Sequence, residues 1–320
     1  MNSQACKICG FLNNTTWYKA KEMMIGFRDE FVYFQCDQCD TLQIEKFPEN
    51  IAKYYPQNYY SFSGFTGKKF KGLLGKLKTW SYEAFLFRRN SIEQFISFLF
   101  PASQFDFFKQ LTISNQSRIL EVGCGNGNKF LYPLAEMNFK NILGCDPFIE
   151  KSIQYDNGLQ IVKKDVFEMT GEWDVIIYDH SFEHVANPFE NLQKVQSLLA
   201  PKGVCVLRIP TVPCHAWTHY RENWVQLDAP RHYFLHSPKS IKHMAGRTGL
   251  GLTDVIYDST HLQFTGSELY LRNITLHAPR EKGLLNLINR KLKKAAYSRK
   301  AKELNKQGQG DQASFILSKI

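Results

Sequence analysis

Short apolar runs alternate with longer helix-like segments from Ser117 onward. The runs end at polar or glycine residues, a pattern typical of parallel strands joined by crossover helices. They are RILEVG, NILGCD, LQIVKKD, WDVIIYDH, GVCVLRIP, LTDVIYDS and QASFILSK. The pattern predicts an α/β domain over residues 113–320, with a basic helical insertion at about 266–306 between the last two runs.

Two regions of different composition precede this domain. Residues 1–47 contain two cysteine pairs and short β-prone runs such as FVYFQC, which predicts a small separate module. Residues 48–112 are aromatic and basic, and they include the helix-like run WSYEAFLFRRNSIEQFISFLF. We expect this middle region either to cover a ligand site as a helical lid or to serve as plain packing between the module and the main domain.

The formal net charge of +10 is concentrated in one segment of the chain. Ten lysines and arginines lie between Arg280 and Lys306, against only Glu281 and Glu303, so this segment carries +8. Because the remainder is near neutral, a nucleic-acid partner is not expected. Leucines and isoleucines interleave with the basic residues, which predicts a basic amphipathic helix at 282–305. Such a helix packs on its own domain or contacts an anionic membrane surface.

The start of the chain and its hydropathy indicate the cytoplasm. MNSQACKICG lacks the apolar core of a secretory signal, and no run reaches eighteen uninterrupted apolar residues. We therefore expect a cytoplasmic protein, with a peripheral contact at the inner face of the membrane as an alternative. In that compartment the eight cysteines are expected to be thiols or metal ligands rather than disulfides.

Four of those cysteines form a metal-binding pattern. CKIC and CDQC place Cys6, Cys9, Cys36 and Cys39 in two C-x-x-C pairs with 26 residues between them. Paired thiolates of this kind bind zinc tetrahedrally and leave no open position, so the predicted zinc is structural, in a zinc-ribbon-like module. A β-hairpin could occupy the long spacing. An iron–sulfur cluster is the alternative.

The first apolar run leads into a glycine loop, ILEVGCGNGNKF. Gly123, Gly125 and Gly127 form G-x-G-x-G, whereas a dinucleotide fingerprint needs a glycine where Asn128 stands. The spacing therefore argues against a nicotinamide or flavin cofactor. Glu121 lies within the strand, where a buried carboxylate needs a cationic or N–H partner such as an α-amino group.

Acidic residues close the next two runs. Asp146 ends the second run, where a carboxylate can accept hydrogen bonds from ribose hydroxyls. Asp165 ends the third and is suitably placed for an adenine amino group, with Val166 as an apolar neighbour. The carboxyl ends of parallel strands share one edge of a sheet, so these groups should lie near the glycine loop.

The pieces LEVGCGNG, GCDPF and KKDVFE resemble the class I S-adenosylmethionine-dependent methyltransferases, over residues 115–265 and the final run. The resemblance implies a Rossmann-like sheet of seven strands, the last antiparallel, with helices on both faces. It also implies S-adenosylmethionine as the cofactor. The residues assigned to the cofactor are Glu121, Gly123, Cys124, Gly125, Gly127, Asp146, Pro147, Asp165, Val166 and His180. Cys124 is expected to fill space rather than to act as a nucleophile.

Two later segments narrow the resemblance. DHSFEHVANP and LDAPRHYFLHSPKSIKHMAGRTGL are similar to a bacterial subfamily associated with surface glycans and small metabolites. This similarity implies O-methylation of a sugar, nucleotide sugar or lipid-linked glycan in polysaccharide biosynthesis. Similar zinc modules precede nucleotide-sugar C-methyltransferases, which continue with a further domain, so C-methylation is a weaker alternative. RNA methylation and a non-enzymatic cofactor-binding scaffold are the others.

Methyl transfer to a hydroxyl needs a group that takes the acceptor proton, and His184 and His232 are the predicted catalytic residues. Each lies beyond a strand end; the alternative is a structural role in a loop or in the core. His180, Glu183 and His184 form H-x-x-E-H, which would place three zinc or iron ligands on one face of a helix. A turn without metal is the alternative interpretation.

Three further side chains could hold an anionic acceptor such as a sugar diphosphate. They are Arg221, Arg231 and Tyr233, and arginine binds phosphate through two parallel N–H groups. Isolated arginines on loops are usually solvated, which is the competing interpretation.

Overall fold

The structure, a computed structural model, describes residues 4–56, 65–87, 100, 102–279 and 283–320. Its strands form two sheets. They are β1 Thr16–Lys21, β2 Glu30–Gln35, β3 Leu42–Ile44, β4 Ile119–Val122, β5 Ile142–Cys145, β6 Ile153–Gln154, β7 Gln160–Val162, β8 Trp173–Asp179, β9 Leu199–Pro210, β10 Phe234–Leu235, β11 Leu250–Tyr257 and β12 Gln312–Lys319.

The large sheet has the strand order β11-β12-β9-β8-β4-β5-β7-β6. Strands β7, β5, β4, β8 and β9 run parallel, and β12 is antiparallel to both β9 and β11. All seven apolar runs form strands, and the predicted antiparallel last strand is confirmed. The sheet has an eighth, unpredicted strand, because the two-residue β6 pairs antiparallel with β7 at the edge.

Helices cover both faces of the large sheet, as predicted. Adjacent residues of β8 point to opposite faces. Ile176 packs with α3 (Pro188–Leu198) and α5 (Pro238–Arg247), whereas Ile177 packs with α2 (Leu131–Glu136) and the phenylalanine-rich 3₁₀ segment Ser103–Gln110. Pro188 and Pro238 begin α3 and α5, where a missing N–H costs nothing. The helices are α1 Gly72–Phe87, α2 Leu131–Glu136, α3 Pro188–Leu198, α4 His215–Tyr220, α5 Pro238–Arg247, α6 Leu262–Leu271 and α7 Leu284–Lys306.

The helix-like run predicted around residues 80–100 begins earlier than expected, since α1 starts at Gly72. Residues 88–99 and 101 lie outside the described residues. The predicted basic helix is present as α7. Ala301 and Leu304 near its end are buried, whereas Leu285 and Leu292 are 77% and 64% exposed. No helix in the described ranges is both long and apolar enough to cross a membrane.

The small sheet has the order β1-β2-β3-β10 and is antiparallel throughout. The β1–β2 hairpin occupies the long interval between Cys9 and Cys36. The fourth strand comes from the far part of the chain, with Phe234 opposite Gln43 and Leu235 opposite Leu42. The amino-terminal strands are therefore completed by residues that precede α5.

Arg231 joins three parts of the chain from a fully buried position. Its guanidinium donates to Glu22 (3.0 Å), to Asp228 (Nε–Oδ2, 2.9 Å) and to the carbonyl of Tyr54 (3.2 Å). Glu22 also accepts the backbone N–H groups of Ile25, Gly26 and Phe27. The prediction that Arg231 holds an anionic acceptor is therefore wrong, since its donors are committed to buried partners.

Replacing Arg231 should destabilise the protein strongly. Arg231→Ala leaves the buried carboxylates of Glu22 and Asp228 without their cation, so we expect a loss of about 3–5 kcal/mol in the free energy of unfolding. Urea unfolding followed by far-UV circular dichroism measures it. Lys46→Ala, which removes an exposed ion pair with Glu49, should change little. A loss below about 1 kcal/mol for Arg231→Ala would show that these buried contacts do not hold the three parts of the chain together.

Candidate functional site

The glycine loop follows β4 at the carboxyl edge of the large sheet. Gly123 and Gly127 have φ angles of +70° and +68°. A Cβ on Gly123 would lie 2.5 Å from Cβ of Ser181, and one on Gly127 would lie 2.7 Å from Cδ1 of Ile161. The left-handed backbone conformation therefore favours glycine at both positions, and at Gly123 the nearby Cβ of Ser181 also leaves no space for a side chain. The loop lies directly against the neighbouring strand ends, where its backbone can approach a ligand closely.

Asp146 lies immediately after β5 and beside this loop. Its two carboxylate oxygens accept the backbone N–H groups of Gly125 and Phe148, both at 2.8 Å. Burial raises the pKa of Asp146, although these hydrogen bonds oppose the shift. Each carboxylate oxygen has a second lone pair, so Asp146 can still accept ligand hydroxyls. Pro147 is half-buried, and Phe148 is 79% exposed beside it.

Asp165 caps the 3₁₀ turn Val166–Glu168, just beyond β7. Its side chain accepts the N–H of Phe167 at 3.0 Å, and the side chain of Glu168 accepts the backbone N–H of Asp165 at 2.8 Å. Val166 is buried, whereas Phe167 is about half exposed. The turn therefore presents a carboxylate and an exposed ring at the same sheet edge as Asp146, where an open α/β sheet binds its ligands.

Glu121 is a buried carboxylate in β4. Its Oε2 has no hydrogen-bond partner among the described residues. Burial, reinforced by the negative charge of Asp179, raises the pKa of Glu121 well above its ordinary range, and Lys129 opposes this. A buried carboxylate with an unpaired oxygen fits the positively charged α-amino group of an amino-acid ligand. This is the clearest fit to the cofactor that the resemblance implies.

An ion network that sequence reasoning missed lies next to Glu121. Asp179, the last residue of β8, pairs with Lys129 and with Arg208 of β9, and Arg208 also pairs with Asp258. Burial alone would raise the pKa of Asp179, but the two cations outweigh it and hold it below its ordinary range. The strand-end rule applied to Asp146 and Asp165 would have found Asp179. No comparable signal marks Arg208, which lies inside a strand.

The two predicted catalytic histidines lie side by side. His184 ends the 3₁₀ turn Phe182–His184, His232 precedes β10, and their ring centroids are 4.8 Å apart. Nδ1 of His184 lies 2.8 Å from the carbonyl of Arg231, and Nδ1 of His232 lies 2.8 Å from that of Gln226. A carbonyl can only accept, so each Nδ1 carries the proton and each Nε2 keeps its lone pair. Burial lowers the pKa of both rings, that of His184 to about 3, so both are neutral.

Glu183 faces these rings from a fully buried position. Ligand atoms of Glu183, His184 and His232 all lie within 4.8 Å of one another. His180 stands at the margin, with Nδ1 3.5 Å from Glu183 Oε1 and a left-handed φ of +52°. The turn begins only at Phe182, so the expected helical face of H-x-x-E-H does not form. The histidine that joins Glu183 and His184 is therefore His232, from a distant part of the chain.

The four amino-terminal cysteines converge. The Sγ atoms of Cys6 and Cys39 are 3.6 Å apart, those of Cys9 and Cys36 are 3.5 Å apart, and all four lie within 4.8 Å of one another. A tetrahedral zinc with bonds of about 2.3 Å places its sulfurs about 3.8 Å apart. The amide of Gln43 donates to Cys6 at 3.0 Å, as expected beside a thiolate. The donor set and its spacing fit one tetrahedral cation.

The remaining predicted residues have simpler surroundings. Burial raises the pKa of Cys124 well above its ordinary range, and its Sγ fills the space that a side chain at Gly144 would occupy, in keeping with a packing role. Arg221 is exposed, with its guanidinium 5.6 Å from the Trp217 ring. Tyr233 packs against Phe47 at 4.6 Å. Arg221 thus remains accessible to an anion.

Comparison with known proteins gives a family and more distant relatives. The family model described as "Methyltransferase domain" matches residues 82–255, more than half of the chain. A tRNA U34 carboxymethyltransferase of Nautilia profundicola is 28% identical over 99 residues, covering 28% of this chain and 33% of the relative. Its counterpart in Campylobacter jejuni is 22% identical over 152 residues, covering 44% and 52%. The chain thus spans about a third to a half of the curated relatives it matches.

Among solved structures, a SAM-dependent methyltransferase of Thermotoga maritima is similar, with a TM-score of 0.43 and 15% identity. The superposition covers 75% of this chain and 100% of that one.

Replacing Glu121 should stabilise the ligand-free protein in a pH-dependent way. The native pKa of Glu121 is raised, so the native state binds its proton more tightly than the unfolded state does, and stability falls as pH rises above the unfolded value. Glu121→Gln removes this loss, which amounts to about 1.4 kcal/mol per pH unit across the window. Urea unfolding is measured at intervals between about pH 5 and pH 8. The difference in the free energy of unfolding, variant minus wild type, should increase as the pH rises. A difference that stays constant with pH would contradict the raised pKa of Glu121. Glu190→Gln, on the exposed side of α3, is the control.

Proposed function

This chain belongs to the methyltransferase domain family, and on that premise we propose that it transfers a methyl group from S-adenosylmethionine to a hydroxyl of a sugar, nucleotide sugar or lipid-linked glycan. The observation that carries the proposal is the arrangement of the two histidines. The neutral rings of His184 and His232 keep Nε2 lone pairs beyond the end of β8, and Ser181 of the same segment packs against Gly123. The segment 181–184 therefore connects Ser181, which contacts the glycine loop, to His184, which would contact the acceptor.

The cofactor side uses the groups at the carboxyl edge of the sheet. When bound, S-adenosylmethionine supplies an electrophilic methyl group on a sulfonium. Glu121 would bind its α-amino group, because that carboxylate has an unpaired buried oxygen. The glycine loop would contact the methionine part, Asp146 the ribose hydroxyls, and Asp165 with Val166 the adenine.

The acceptor side uses His184 and His232 to position and activate the hydroxyl. Their Nδ1–H bonds to backbone carbonyls fix the ring planes, so the Nε2 atoms have defined directions. The hydroxyl of Tyr55 lies 3.1 Å from Nδ1 of His184, which brings the aromatic region after residue 48 to the same place. Exposed Arg221 is the remaining candidate for an anionic part of the acceptor.

The cysteine cluster would hold a structural zinc ion. Cys39 ends the second cysteine pair, and its carbonyl accepts a hydrogen bond from Ser237, which caps α5. A zinc ion would therefore fix both the small sheet and the segment that carries His232 and β10. Since all four positions are filled by sulfur, no chemistry is assigned to this ion.

Cofactor binding is tested by isothermal titration with S-adenosylhomocysteine. Asp146→Ala removes an acceptor for the ribose hydroxyls, and we expect at least about tenfold weaker binding, because a hydrogen bond to a charged group contributes about 1.5–3 kcal/mol. Glu121→Gln should also weaken binding, despite its higher stability. Asp156→Ala changes an exposed carboxylate nearby and should bind like the wild type. If a folded wild type does not bind the ligand, the enzyme proposal fails. Binding without methyl transfer to any of the proposed acceptors would favour the cofactor-binding scaffold.

Zinc content and stability should fall together when the cluster is broken. Purified protein should contain one zinc per chain, measured by plasma mass spectrometry, and Cys9→Ser should lose it and melt at a lower temperature. Cys205→Ala removes another buried cysteine, in β9, and should keep its zinc. Iron that is present in the wild type in place of zinc and is lost in Cys9→Ser would favour an iron–sulfur cluster on the cysteines.

Transfer to RNA is the second candidate, favoured by the names of the two curated relatives and by the basic segment at residues 280–306. It differs from the glycan proposal in its salt dependence, since binding through phosphate contacts weakens steeply with salt. Filter binding of tRNA over a salt series, beside methylation assays on nucleotide sugars, separates the two.

The exposed Leu285 and Leu292 of α7 support a peripheral membrane contact as a further proposal.

A further inference from the structure

We propose that Glu183, His184 and His232 bind a first-row divalent cation that holds an oxygen atom of the acceptor. This inference rests on the proposed function, because it specifies how the two histidines activate the acceptor. Their Nε2 lone pairs would hold the cation, and the cation would lower the pKa of the acceptor hydroxyl, so that its proton leaves to water as the methyl group is transferred. It differs from the cysteine site in place, in donor chemistry and in role.

Glu183 is the first reason to expect a cation. Its side chain is fully buried, and neither Oε1 nor Oε2 accepts a hydrogen bond from any described residue. The neighbouring donors make no hydrogen bond with it: Nδ1 of His180 lies 3.5 Å from Oε1, and Arg231 donates to Glu22, Asp228 and the Tyr54 carbonyl. A buried carboxylate in this position requires a positive charge, either a proton or a metal ion.

The histidines decide between these two. Nε2 of His232 lies 3.8 Å from Oε1 of Glu183, too far for a hydrogen bond, and Nε2 of His184 belongs to the same cluster. A proton on Glu183 could be shared with one such lone pair and would leave the other to solvent. A cation between the three groups satisfies the carboxylate and both nitrogens at once.

The hydrogen bonds that the two histidines make to backbone carbonyls are those expected of metal ligands. Ligating histidines usually donate their other ring N–H to a backbone carbonyl or a carboxylate, which fixes the tautomer. His184 and His232 both do so, to Arg231 and Gln226. Two imidazoles and one carboxylate leave coordination positions open on iron, manganese, cobalt or zinc, and an oxygen donor of the acceptor could occupy one.

Asp228 and His180 complete the surroundings but are not assigned as ligands. Asp228 Oδ2 is 3.7 Å from Nε2 of His232 and accepts from Nε of Arg231. His180 is partly exposed at the margin of the cluster. His180 therefore lies between the cluster and the carboxyl end of β8, next to Ser181, which contacts the glycine loop.

Manganese titration followed by electron paramagnetic resonance tests the site directly. The zinc-replete full chain is titrated with Mn²⁺ alone, because the six-line signal of the free ion disappears on binding and Mn²⁺ prefers nitrogen and oxygen to thiolate ligands. We expect one bound ion per chain. Glu183→Gln and His232→Asn should each raise the dissociation constant at least about tenfold, since even residues outside the ligand set change metal affinity 10- to 100-fold.

Glu190→Gln and His219→Asn remove the same kinds of side chain from exposed positions and should titrate like the wild type. Near-UV circular dichroism establishes that each variant is folded.

S-adenosylhomocysteine binding, measured on the same samples, separates the two proposals. A wild type that binds this ligand but not Mn²⁺ overturns the cation site and leaves the proposed function standing. Mn²⁺ binding unchanged in Glu183→Gln also overturns it. Mn²⁺ binding without S-adenosylhomocysteine binding keeps the site and refutes the proposed function.

Discussion

The buried guanidinium of Arg231 is the contact on which the arrangement of the site depends. Its side chain binds Glu22 of the first hairpin and Asp228 of its own loop, while its backbone carbonyl accepts from the ring of His184. One residue thus couples the small sheet to the turn after β8. His232 follows it directly, so both rings are oriented by the same buried anchor. Ionic contacts of this kind contribute less to net stability than to the choice of one geometry.

The sheet topology determines the rest of the site. Parallel strands bring Asp146, Asp165 and Asp179 to one edge of the large sheet. The tight glycine loop after β4 lies at the same edge. The buried carboxylates in this region differ in whether cationic side chains neutralise them. Asp179 pairs with two cations, whereas Glu121 and Glu183 retain unpaired oxygens. The uncompensated groups are the ones that a ligand can complete, which is why we assign one to the cofactor and the other to a cation.

Much of this could be predicted from the sequence, because apolar runs with polar ends mark strands and strand ends mark ligand positions. The seven predicted strands of the large sheet were found in that way, and the C-x-x-C spacing identified the four cysteines. The missed elements depend on contacts between distant residues. Arg231 and Glu22 are 209 positions apart, and no local pattern indicates that they meet. Strands β6 and β10 have two residues each, too few for an alternating pattern to register.

The position of two late segments has a consequence for how the chain acquires its fold during synthesis. Strand β12, at residues 312–319, lies between β9 and β11, and β10 completes a sheet begun near residue 16. A ribosome-bound chain therefore keeps the edges of β9 and β3 open until much later residues emerge. Long-range pairing of this kind is slow, and open strand edges attract other chains. The family-matched residues 82–255 alone would lack both β12 and the amino-terminal strands. The unit recognised by homology is therefore smaller than the unit that completes the two sheets.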